Sequence, residues 1–286
     1  MVLAGQEGAS TNMRTQRTES RDLLHTRTNM ADRKDESWRP QLHAFGQGSL
    51  ETAKASIRRF LDLQSGSIWR DVSSELPHVR GRALDVGCGA QPFRSLFDQS
   101  VQYVGIDTIY ARMHFGYHLP DTVYYDGVAW PVDDGWADFI LCTEALEHVY
   151  DTDHFLAEAR RCLAAGGRVL ITVPFSARWH YIPHDYWRFT PSSLKKVLTE
   201  AGFSSVVVYA RGNEITVACY KVMALIVPLL LPQGKGRVTA VMLRLIGIVL
   251  APVVLMLAVC GNLSLRGRGG DDCLGYTVVA QGGEPR

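Results

Sequence analysis

At 286 residues and 47% hydrophobic content, the chain can hold one large domain with extras or two small ones, with ample material for a core. Its formal net charge of +1 gives no electrostatic case for nucleic acid as a partner, since phosphate binding wants a basic face. Six cysteines, at 88, 142, 162, 219, 260 and 273, form no Cys-x-x-Cys pair and no His/Cys ligand spacing, which argues against structural zinc and a disulfide frame and fits a reducing compartment. Residues 1–40 mix seven Lys/Arg with six acids and carry no periodic apolar pattern, so a disordered leader is expected there, without the apolar stretch of a secretory signal.

From Ser49, a plausible N-cap, Ile57, Phe60 and Leu61 share one helical face, and a second helix is predicted over roughly 68–76. The stretch RALDVGCG at 82–89 then reads as a buried parallel strand broken by Gly87 and Gly89, a tight turn where a ligand can approach the main chain closely. A second apolar run, YVGID at 103–107, ends on Asp107, 107 − 87 = 20 residues beyond Gly87. That is where a doubly wound sheet places a carboxylate for ribose hydroxyls. Two acceptor oxygens suit a vicinal diol and repel a 2′-phosphate, so the pair of features reads as a nucleoside pocket. Pro92 stands where a dinucleotide fingerprint needs its third glycine, which disfavours a pyrophosphate cradle.

Further along, TVYYDG at 122–127 reads as a third strand ending at Asp126, and ADFILC at 137–142 as a fourth. The fourth runs into TEALEHV at 143–149, beyond a strand end, where open α/β sheets bind ligands. A helix over 152–164, a Gly166–Gly167 stop and a strand over 168–173 continue the alternation of strands and helices that marks a doubly wound fold. Thr190 and Pro191 supply a cap and an N1 proline for the next helix, and 203–209 is a sixth strand.

The Asp-Val-Gly-Cys-Gly turn at 85–89 with Pro-Phe-Arg at 92–94, the Glu-Ala-Leu-Glu-His-Val run at 144–149 and His-Asp-Tyr-Trp-Arg-Phe-Thr at 184–190 together resemble the class I S-adenosylmethionine (SAM) methyltransferases, in their type 11-like small-molecule and lipid branch. Gln91 stands where that family often has a third glycine, so the loop is a variant. The resemblance covers about 50–210. It implies a Rossmann-like α/β sheet of seven strands, the seventh antiparallel and supplied by 274–280. It also implies SAM as cofactor, with Asp85, Gly87, Cys88, Gly89, Asp107, Asp126 and Glu144 as contacts, Asp126 receiving the adenine amino group. The expected organisation is a leader over 1–40, a SAM-binding domain over 41–210, a hydrophobic helical insertion over 211–272, and the last strand with the tail over 273–286.

The loop at 174–190 gathers aromatics, two histidines, an acid and an arginine at the ligand-facing edge, the kind of loop that carries specificity. His148, Tyr181, Asp185, Trp187 and Arg188 are the expected acceptor contacts. His180 and His184 are candidate general bases for a hydroxyl acceptor. Pro183 interrupts the i,i+4 geometry of these two histidines, so no metal is expected. The Asn/Asp-Pro-Pro-aromatic motif for planar amines is absent after the fourth strand, which disfavours nucleobase or protein-amide methylation.

The insertion holds two apolar stretches, 215–231 and 238–260, each carrying a cation, Lys221 and Arg244. A span needs about 20 apolar residues, and a mid-bilayer charge costs about 2.5–3.5 kcal/mol on insertion scales. The favoured expectation is therefore a hairpin over 215–260 making peripheral or re-entrant membrane contact, with a two-span anchor, an oligomer interface or a substrate lid as alternatives. The expected function is SAM-dependent methylation, chiefly O-methylation, of a small-molecule, lipid- or saccharide-linked acceptor at the cytoplasmic membrane face. The alternatives are a non-catalytic SAM-binding membrane-associated scaffold and a nicotinamide-dependent oxidoreductase.

Overall fold

Strand β1 (Arg82–Val86) is buried on both faces because its side chains alternate between two apolar layers. Leu84 and Val86 join one layer with Ile140, Ile171 and Val278; Ala83 faces the other with Phe139, Leu141 and Leu170. The structure, a computed structural model, describes residues 49–116, 118–230, 232 and 236–283. The leader expected over 1–40 lies outside the described residues.

Around β1 stand β2 (Gln102–Thr108), β3 (Thr122–Tyr125), β4 (Ala137–Thr143), β5 (Leu163–Pro174), β6 (Phe203–Arg211) and β7 (Gly275–Gly282). They form one sheet in the order β3-β2-β1-β4-β5-β7-β6. The strands β1 to β5 pair in parallel, and β7 lies antiparallel between β5 and β6. This is the seven-stranded Rossmann-like methyltransferase sheet. The chain leaves β1 towards β2 and β3 and returns to β4 on its other side, so the switch point falls at the carboxyl ends of β1 and β4.

The helices are α1 (Ser49–Leu61), α2 (Leu63–Glu75), α3 (Ile109–Phe115), α4 (Thr152–Cys162), α5 (Pro191–Glu200), α6 (Glu214–Leu230) and α7 (Arg237–Ser264). Helix α2 starts five residues before the apolar pattern predicts, because Asp62 caps it by accepting the Ser65 N–H at 3.3 Å. Helix α4 ends at Cys162 rather than 164: Leu163 already pairs with Ala137, and Gly166–Gly167 lie in an irregularity of β5 rather than at a helix stop. Thr190 caps α5 in a capping box, with Pro191 in its first turn.

The insertion between β6 and β7 is a helical hairpin, α6 and α7. Its root forms a third apolar cluster, in which Leu63 of α2 meets Val217, Met223, Val254 and Ala258. Gly261 is needed here, since a Cβ would run into the Leu63 side chain. Asn262 Nδ2 donates to the Phe60 carbonyl at 2.9 Å, and the Ser264 and Thr216 hydroxyls bond at 2.8 Å. Its free length exposes Leu225, Val241, Leu245, Val249 and Met256. Among the described residues α7 is the one helix long and apolar enough to cross a membrane; the sequence pattern, broken at Arg244, had predicted a shorter run.

Candidate active site

At the switch point lies a cavity of about 720 Å³, within the range of small-molecule and cofactor sites. Its floor is the turn after β1, where Gly87 and Gly89 take φ of 67° and 52°. A Cβ on Gly87 would sit 2.6 Å from the Ala145 Cβ, so only glycine keeps this floor open. Gln91, in place of a third glycine, also takes a positive φ of 55° and turns its amide to Thr122 Oγ1 at 2.9 Å, away from the ligand side.

Asp107, next to last in β2, stands at the rim of this cavity and is only 5% exposed. Its Oδ2 accepts the Gly89 N–H at 3.0 Å and its Oδ1 the Thr108 N–H at 2.7 Å. Cys88 and Asp126 also line the cavity; Asp126 Oδ1 accepts the Val128 N–H at 3.0 Å, a turn-forming bond. Asp85 does not line it. Its Oδ2 accepts the Tyr103 hydroxyl at 2.8 Å under the turn, where burial pushes its pKa up to about 7 against the pull of that bond.

Beyond β4 the chain turns at Glu144, whose φ of 49° is uncommon outside glycine. The turn is held by bonds from its N–H to Thr172 O (2.9 Å) and Oγ1 (3.2 Å), and by the fully buried Arg211, whose Nη2 meets Glu144 Oε1 at 2.9 Å. Gln64 Nε2 donates to Glu144 Oε2 at 3.1 Å. Next to it, Glu147 is fully buried with both carboxyl oxygens lacking hydrogen-bond partners; burial first, then the charge of Glu144, raise its pKa well above the ordinary carboxyl value. His148 Nδ1 lies 2.9 Å from the His184 carbonyl oxygen. Burial, followed by the neighbouring His180, lowers the His148 pKa to about 4, so the ring is neutral and Nδ1–H donates.

The loop after β5 sets His180 across from these groups. Its Nδ1 lies 3.0 Å from the Arg178 carbonyl and 3.2 Å from Asp185 Oδ2, while Asp185 is clamped by both terminal nitrogens of Arg188 at 2.6 and 2.7 Å. Burial disfavours the charged ring, but the Asp185 carboxylate outweighs it and raises the His180 pKa. Desolvation likewise works against the charged Asp185, yet Arg188 and His180 hold its pKa far below the usual carboxylate range. Asp185, Trp187 and Arg188, expected as acceptor contacts, line neither cavity: the ion pair orients His180, and Trp187 Nε1 donates to the Val149 carbonyl at 2.8 Å. His148, Tyr181 and His184 line the first cavity, Tyr181 stacking among His114, Phe115 and His148. Ligand-capable atoms of Glu147, His148 and His180 fall within 4.8 Å of one another, a grouping that the His180/His184 spacing does not reveal.

A second cavity, about 540 Å³, adjoins the first and shares Pro92, Thr143, Glu144 and His180 with it. Its other walls come from α1, α2 and α6, including Arg59, Trp69, Tyr220 and Met223. Neither Gln64 nor Arg211 nor this chamber carries a motif in the sequence; a cation closing a strand predicted to end at Tyr209 was the one available hint of Arg211.

The profile of the methyltransferase domain family matches residues 51–208, more than half of the chain. The chain belongs to this family. As a methyltransferase of this family it uses SAM, and the first cavity fits that cofactor: a bare glycine floor, a buried carboxylate at the ribose position, and room for a nucleoside. Among solved structures, the methyltransferase is similar to Haemonchus contortus phosphoethanolamine N-methyltransferase 2 in complex with SAM, at 16% identity and a TM-score of 0.45, over 86% of this chain and 61% of that one. A second structure of that enzyme is covered over 53% of its length, so the chain spans little more than half of these relatives. A SAM-dependent methyltransferase from Archaeoglobus fulgidus is 20% identical with a TM-score of 0.45, over 82% and 95% of the two chains. A putative methyltransferase from Haloferax volcanii, solved with its Trm112 activator, is 16% identical with a TM-score of 0.46, over 87% and 100%. Among curated proteins none matches this sequence.

Proposed function

We propose that the protein is a SAM-dependent O-methyltransferase in which His180 is the general base, acting on an acceptor held in the second cavity at a membrane face. The observation that carries this reading is the position of His180, which lines both cavities while Asp185 and Arg188 fix its ring. With Nδ1 committed as a donor, the neutral ring carries its lone pair on Nε2. SAM supplies a methyl group already activated on a sulfonium, so the protein's tasks are alignment, exclusion of water and removal of one proton. The turn at 87–89 and Asp107 are assigned to the cofactor; Asp126 is assigned to its base and Glu144 to its amino-acid end. His184 is the weaker base candidate, since its Nδ1 meets the Tyr186 hydroxyl at 3.1 Å and it lines only the cofactor cavity.

Replacing His180 with Gln should lower methyl transfer to a membrane lipid extract about 10²–10⁴-fold while S-adenosylhomocysteine (SAH) binds as before. Undiminished turnover would remove His180 from the chemistry. SAH binding without turnover in the unaltered protein would favour the scaffold reading.

The hairpin supports peripheral or re-entrant membrane contact over a span. Thr216, Val217, Cys219, Met223 and Ile226 of α6 are buried, and Gly247, Val254, Ala258 and Gly261 of α7 are too. The root cluster takes in Ile226 and the flank of Leu250, which leaves residues 227–230 and 237–249, about 6 and 20 Å of helix, outside the root, against a hydrocarbon core of about 30 Å. With Leu245, Val249 and Met256 all changed to Glu, the protein should no longer float with liposomes; continued flotation of a folded variant would refute membrane contact through this face.

A further inference from the structure

The second cavity has two unlike walls. Along α1, Ala55, Arg58, Arg59 and Asp62 recur at i, i+3, i+4 and i+7, so a single helix face, with the residue that ends it, lines the chamber. The Arg59 guanidinium lies 3.9 Å from the centre of the Trp69 ring, a stacking that fixes its plane and leaves its N–H edge for polar partners; one of these donors reaches Ser56 Oγ at 3.2 Å. Arg178, exposed on the loop that carries His180, adds a third cation. Among the described residues lining the chamber, Asp62 and Glu144 are the acids, and Glu144 is already paired with Arg211. This end has a cationic excess beside the proposed base.

Facing it, Tyr220, Met223, Ala224 and Val227 of α6 repeat the same spacing as an apolar stripe. Over seven residues the stripe runs about 10 Å, from Tyr220 past the buried Met223 to Val227, which is 38% exposed. There it joins the apolar surface of the hairpin at Leu225 and beyond.

From this juxtaposition we infer that the acceptor is an amphipathic lipid whose hydroxyl-bearing head carries an anionic group, held by Arg59 and Arg178 with Arg58 beside them, and whose tail leaves along the α6 stripe. The inference rests on the O-methyltransferase reading above. In the transfer, the acceptor oxygen forms the new O–C bond, the sulfonium C–S bond breaks to give the neutral thioether, and the hydroxyl proton passes to His180. The hairpin is then part of the acceptor site as well as the membrane contact. A water-soluble acceptor makes no use of the stripe, and a neutral head none of the cationic wall.

The test is calorimetric titration of the full-length, SAH-loaded protein with four probes below their micelle concentrations: decyl phosphate, decanoate, decyl maltoside and inorganic phosphate. At least one anionic decyl probe should bind about tenfold or more tightly than both decyl maltoside and inorganic phosphate. The double change Arg59→Gln and Arg178→Gln should erase the preference over the maltoside, and Val227→Glu the preference over inorganic phosphate, with SAH affinity unchanged as evidence of folding. Equal binding of anionic and neutral decyl probes overturns the anionic head, and equal binding of decyl phosphate and inorganic phosphate overturns the tail path. A preference that survives both sets of changes also overturns the inference, because the probes then bind elsewhere on the hairpin. In each of these cases retained SAH binding leaves the methyltransferase reading standing, whereas its loss removes that reading itself.

Discussion

The two cavities that meet at His180 are built by different physics. The floor of the cofactor cleft is main chain: a glycine turn and the ends of parallel strands, locked by ladder bonds on both sides, with Asp107 at its rim. The second cavity, the proposed acceptor chamber, is walled largely by side chains on three helices, and α6, one of the three, belongs to the hairpin. A site made of backbone can hold one ligand across many proteins; a site made of helix faces changes with every substitution on them. On the proposed reading, the methyl donor is set by the fold and the acceptor by the insertion and the leading helices.

This contrast can be broken at the hairpin root. Leu63 is fully buried against Gly261 and the apolar faces of α6 and α7. Changing Leu63 to Ala should cost about 2–5 kcal/mol in chemical denaturation, the range for a leucine lost from a packed core. SAH affinity of the folded variant should not change. A parallel loss of SAH affinity would mean that the two regions are one cooperative site.

A smaller effect sharpens the role of the base. Among the described residues, the groups near His180 include Asp185, clamped by Arg188, the uncharged His148 and the buried Glu147, whose pKa burial raises well above the ordinary carboxyl value. The base form is the neutral ring, and a raised His180 pKa keeps the ring protonated to higher pH. The rate should therefore rise with pH through a midpoint above the ordinary histidine value of about 6.5. Asp185→Asn should move that midpoint down while lowering the maximal rate. A midpoint that stays in place when Asp185 is neutralised would separate His180 from the titration.

Much of the cleft was legible in the sequence because it is local: a strand, a turn and a carboxylate 20 residues on are written within 82–107. The seventh strand was legible only through the resemblance, which implies an antiparallel strand for which 274–280 is the one candidate after the insertion. The first turn of α2 was not, because Gln64, Ser65 and Gly66 read as loop and only the Asp62 cap makes them helical. Leu163 and Ala164 continue an apolar helical period, yet pairing with β4 takes Leu163 into β5. The Glu144–Arg211 pair joins residues 67 apart, and the chamber joins α1 to α6 across more than 150 positions; neither leaves a periodicity to read. Asp185 and Arg188 drew attention as acceptor contacts through their chemistry, and that chemistry is spent on each other and on His180.

The central claim is that SAM occupies the crevice at the ends of β1 and β2 with its sugar on Asp107. Titrating SAH into the intact protein and into Asp107→Ala tests it most directly. One site should be seen, weakened in the variant by about 1.5–3 kcal/mol, the size of hydrogen bonds to a charged acceptor. Binding of equal strength to both proteins, or to neither, would contradict the account.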